Sequence, residues 1–79
     1  MRLTDREKEW GARESRFIKA ELKRAGIGYK ELAERLKEHG LQETETSMGK
    51  LARGTFVASF FLATMKAIGR ERVSLIDLQ

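Results

Sequence analysis

Apolar residues recur at three- and four-residue spacing in four stretches of this chain, and nowhere does a convincing strand alternation appear. The first stretch opens at Thr4-Asp5-Arg6-Glu7, a capping-box pattern, and predicts a helix running to about Ala25, with Gly11 as the place for a bend. On it Trp10, Phe17, Ile18, Leu22 and Ala25 share one arc, and Arg13, Arg16, Lys19, Lys23 and Arg24 the opposite one. Glu14 and Glu21 fall inside the apolar arc, which predicts only partial burial there. The second helix, from Tyr29 to about His39, turns Tyr29, Leu32, Ala33 and Leu36 inward and Lys30, Glu34, Lys37 and Glu38 outward.

A third helix is expected from about Thr44 to Arg53, with Met48, Leu51 and Ala52 inward. Its exposed arc holds Thr46, Ser47, Gly49, Lys50 and Arg53, a short polar surface with basic groups at its carboxyl end. The fourth, about Ala58 to Ile68, is apolar nearly all round. Phe61, Leu62, Met65 and Ile68 make one face, and Phe60, Ala63 and Ala67 a second. A small domain needs one such face for its core, so the second is expected to meet a second copy of the chain or the long first helix. The segment from Val73 to Leu78 is open to either strand or helix. The expected fold is all-α: one domain over 1–79, with an N-terminal helix at 4–25, a paired unit at 29–53, a closing helix at 58–68 and a short element at 73–79.

Composition narrows the function more by exclusion than by assignment. There is no cysteine, hence no disulfide framework, thiolate metal site or cysteine nucleophile. The single histidine, His39, stands before Gly40, where it faces the negative end of a helix dipole rather than a ligand set. Serines, His39 and the carboxylates show no spacing that organises a catalytic group, so neither an enzyme nor a cofactor or metal is expected. The first ten residues are charged and lack the apolar run of a signal peptide, and no stretch is long enough to cross a bilayer, so a cytoplasmic protein is expected. Sixteen lysines and arginines against twelve acids leave a net charge of +4, which favours an anionic partner.

Five features in order resemble the lambda-repressor-like, or Xre-type, helix-turn-helix family: Gly26-Ile27, the Leu-Ala-x-x-Leu of Leu32 to Leu36, Met48 and Leu51 with Arg53-Gly54, Ala67-Ile68-Gly69, and the Leu75 and Leu78 tail. The chain also resembles, more closely, a compact bacterial domain family of unknown function. Trp10, Leu22-Lys23, Tyr29, Glu43-Thr44, Lys50, Arg53-Gly54 and Phe60-Phe61 carry that likeness. The first resemblance implies a bacterial transcription regulator that binds double-stranded DNA as a homodimer and reads the major groove with residues 44–53. Thr46, Ser47, Gly49, Lys50 and Arg53 would then meet base edges, and Tyr29 and Lys30 the backbone. The basic arc of the first helix offers Arg16, Lys19 and Lys23 to phosphates, or is a solvated face. Phe60, Ala63 and Ala67 would form the dimer interface.

The departures from that family lie at the turn. Gly40 follows Ala33 by seven residues, nearly a helical turn later than in the family, and Gly28 stands where a serine or threonine cap is usual. Glu43 and Glu45 lie where a phosphate would be repelled. With the second apolar face of the fourth helix, these favour an alternative: a protein-interaction module on the same frame, binding another regulator or a polymerase subunit.

Overall fold

The computed structural model describes residues 4–78. The two ends of the expected 1–79 domain lie outside the described residues, as does the side chain of Ala52. The described chain is all-helical: α1 (Asp5–Ala25), α2 (Tyr29–Glu38), α3 (Gly49–Arg53), α4 (Ala58–Ala67) and a terminal 3-10 turn (Leu75–Leu78), with no strand among the described residues. The turn settles the strand-or-helix question at 73–78.

The capping box starts α1 as its sequence requires. Thr4 N–H donates to Glu7 Oε1 (3.0 Å) and Glu7 N–H to Thr4 Oγ1 (3.1 Å). The helix then continues through Gly11 to a left-handed cap at Gly26. Its inward face is Gly11, Ser15, Phe17, Ile18 and Leu22, whereas Trp10 is 49% exposed and Ala25 is exposed. A stripe of Gly11, Ser15, Ile18 and Leu22 follows the 3.6-residue period, but two of its members are invisible to a count of apolar residues. Ser15 Oγ donates to the Leu51 carbonyl, which fixes α1 on α3. One turn earlier the two backbones touch: a Cβ at Gly11 would run into the Gly54 carbonyl, and one at Gly54 into that of Gly11.

α1 packs on α3 and on the terminal 3-10 turn, and α2 packs on α4. Arg35 Nη1 donates to the Ala67 carbonyl (3.1 Å) across the second of these contacts. The shared core joins Ile18, Leu22, Leu32, Leu36, Met48, Leu51, Phe60 and Met65. At the far end Arg70 closes α1 onto the tail. Its guanidinium pairs with Glu21 (2.8 Å) and Asp77 (2.9 Å) and lies 5.1 Å from the centroid of the Phe17 ring. Glu21, out of place in an apolar arc, therefore has a cation waiting 49 residues downstream.

The facing of α4 differs from expectation. Phe60, Thr64 and Met65 are buried, Phe61, Ala63, Ala67 and Ile68 are partly buried against the core, and Leu62 is 67% exposed. Phe60, Ala63 and Ala67 thus form no free second face. Phe60 is 2% exposed within its own chain and is no surface for a second copy. A helix this uniformly apolar has no polar side to betray its orientation, and a buried threonine, Thr64, further blurred it.

Candidate functional site

The polar surface at 44–53 is built differently from a continuous helix. Thr44 and Ser47 cap each other: Thr44 N–H donates to Ser47 Oγ (2.8 Å) and Ser47 N–H to Thr44 Oγ1 (3.1 Å). Met48 N–H then closes one α-type bond to the Thr44 carbonyl (3.2 Å). The next three amides, of Gly49, Lys50 and Leu51, bond three residues back, to Thr46, Ser47 and Met48. Regular helix begins only at Gly49, so the expected helix from Thr44 is a capped turn followed by the five-residue α3. Hydroxyls that bond local backbone compete with the helical ladder, and three of the four residues from Thr44 to Ser47 carry one. Residues 39–48 separate α2 from α3, and among the described residues the two helices make no direct backbone contact. Leu32 and Leu36 of α2 and Leu51 of α3 belong to the same buried core.

Within this surface the expected reading residues divide. Thr46 and Arg53 are exposed. Ser47 is partly buried and its hydroxyl donates to Glu43 Oε1 (2.8 Å). Lys50 turns inward, pairing with Glu43 Oε2 (2.9 Å) and lying 4.2 Å from the centroid of the Phe60 ring. The Glu43 side chain is only 11% exposed. Glu43, Ser47 and Lys50 are therefore a clasp that holds the connection to α3, and the Lys50 ammonium is already paired within the chain. Gly49 makes room for Arg53, whose Nη1 would lie 3.2 Å from any Cβ placed there.

Among the other expected contacts, Lys30 is exposed at the start of α2 and Tyr29 is partly buried against the core. Gly28 gives α2 no side-chain cap, so the first amides of α2 have no side-chain acceptor there. Arg16, Lys19 and Lys23 are exposed along α1. His39 is the exposed C-cap of α2, its N–H donating to the Leu36 carbonyl (2.9 Å).

A second surface carries no signature in the apolar pattern of the sequence. Trp10 and Glu14 of α1 face Thr55, Phe56 and Val57 across an open groove whose floor is the Gly11–Gly54 contact. Only the inward stripe hidden by Gly11 and Ser15 reveals that Trp10 lies off the core. Burial raises the Glu14 carboxyl above its ordinary value. Because the folded state then holds the proton more tightly, Glu14's contribution is complete below the usual carboxylate range and is lost as pH rises through the raised value. Glu14→Gln is accordingly expected to raise the melting temperature near neutrality. At about pH 3.5, where both states carry the proton, the variant should melt with the wild type. A variant that melts lower at neutrality would show that the carboxylate is stabilised there.

No described helix is long and apolar enough to cross a membrane. A search of the curated proteins found no match, and a search of the solved structures found none. A family model does match, from Trp10 in the groove through the Glu43–Lys50 clasp to Val73 before the terminal turn. Over those residues, 10–73, the chain belongs to the family described as a domain of unknown function, DUF6471.

Proposed function

We propose that this chain is a DNA-binding module of helix-turn-helix type, serving transcription regulation, that sets the amino end of α2 and the capped turn before α3 against a duplex. Lys30 and Arg53 supply the cations, Thr46 a hydroxyl at the base edges, and Arg16, Lys19 and Lys23 are available to phosphates along α1. Lys50 and Ser47 act one step back, holding the turn through Glu43.

One observation carries this reading. Two of the five acids between Tyr29 and Arg53 are held by the chain's own cations, Glu43 by Lys50 and Glu31 by Arg35 (2.7 Å), while Glu34, Glu38 and Glu45 are exposed and form no ion pair among the described residues. Lys30 and Arg53 have no acidic partner within ion-pair distance among the described residues. The repulsion anticipated at Glu43 is thereby removed, and Glu45 alone remains of that pair. Cations left unpaired are what a polyanion selects.

Fluorescence anisotropy with a labelled mixed-sequence duplex, repeated over a salt series, tests it. Wild-type binding should weaken steeply as salt rises. Lys30→Ala with Arg53→Ala should weaken binding by about tenfold or more and flatten the salt slope by about two, one for each lost phosphate contact. Affinity unchanged in that double variant would remove the α2–α3 unit as the contact surface.

A further inference from the structure

We infer that the groove between the amino half of α1 and the α3–α4 connection is a docking site for a peptide segment carrying a guanidinium or ammonium group beside an apolar residue. Its location, composition and charge all differ from those of the proposed DNA surface. The apolar wall is Trp10, Phe56 and Val57, and Trp10 and Val57 are 49% and 69% exposed. Those are large areas to leave in water on a chain with so small a core. The floor cannot be filled from within, because any side chain at Gly11 or Gly54 would strike the opposite backbone.

Charge selects the occupant. Glu7 and Glu14 stand two turns apart on α1 and both line the groove. Glu14 is partly buried and has neither an ion-pair nor a hydrogen-bond partner among the described residues. Glu7 spends one oxygen on the Thr4 amide. Arg13, next to Glu14 in the chain, lies over the Trp10 ring, 4.8 Å from its centroid, and forms no ion pair with either carboxylate among the described residues. A cationic side chain entering the groove would meet Glu14 and Glu7 with its head and lay its alkyl stem along Trp10 and Phe56. Its apolar neighbour would cover Val57. Two carboxylates repel phosphate, so a nucleic acid is the wrong occupant here.

Trp10 is the only tryptophan and reports directly on the groove. The probe is a blocked leucine–arginine–leucine tripeptide, compared with the same peptide carrying citrulline, which keeps the shape and loses the charge. The arginine peptide should give a saturable change in Trp10 emission. Citrulline should bind about tenfold more weakly, as loss of a charge-assisted hydrogen bond implies. Glu14→Gln should lose a similar factor toward the arginine peptide, and Lys30→Ala should lose none. Equal binding of the two peptides, full affinity in Glu14→Gln, or no saturable change with either peptide would each overturn the assignment.

Discussion

Gly54→Ala is expected to lose about 2–5 kcal/mol of stability, the largest loss that any methyl group added to this chain should cause. Two costs add. Gly54 caps α3 at φ +66°, a left-handed conformation that costs an L-residue about 1–2 kcal/mol. Its new Cβ would also collide with the Gly11 carbonyl, and overpacking against backbone costs about 1–3 kcal/mol. Gly11→Ala isolates the second cost, because Gly11 sits in regular helix. On an open helix surface that change would stabilise by about 1 kcal/mol. Here it should destabilise, since its Cβ meets the Gly54 carbonyl. Urea unfolding midpoints measure both. A more stable Gly11→Ala would mean that α1 and the α3–α4 connection do not touch there.

Lys50→Ala should cost about 1–3 kcal/mol, because it strands the Glu43 carboxylate in a nearly closed site with only the Ser47 hydroxyl for company. Part of the loss is packing: the Lys50 ammonium leaves the Phe60 ring as well. Adding Glu43→Gln should recover a measurable share, since a neutral amide tolerates the vacancy better than a charge does. The double-mutant cycle in urea measures that coupling. Additive losses would show that Lys50 and Glu43 are not a structural pair, and would return Lys50 to the exposed surface. The same clasp explains why a stability loss must be separated from a binding loss at this position, and why Lys30 and Arg53 are the cleaner probes of a duplex.

The helices themselves were legible where local chemistry and burial agree. Thr4 with Glu7 marked the start of α1, and Leu32, Ala33 and Leu36 gave the inward side of α2. Facing failed where small or polar residues do the packing. Gly11 and Ser15 sit on the inward stripe of α1 because α3 approaches too closely for anything larger, so the apolar pattern places Trp10 on a core face that it leaves. On α4 every face is apolar, and only the neighbours decide that Phe60 and Thr64 point in while Leu62 points out. In the candidate site the types of residue were legible but their partners were not. Lys50 and Arg53 are three apart and read alike as free cations, yet Glu43 claims one and not the other. That choice depends on a ten-residue connection whose path no periodicity encodes.

The most direct test of the central claim, that the α2–α3 unit meets DNA through Lys30 and Arg53, is a titration of isotope-labelled protein with duplex followed by backbone amide NMR. The expected result is shifts concentrated at Tyr29 and Lys30, at Thr44 to Ser47 and at Arg53, with smaller changes along Arg16, Lys19 and Lys23 and none at Trp10 or Val57. Shifts confined to the Trp10 groove, or no shifts at low salt, would contradict it.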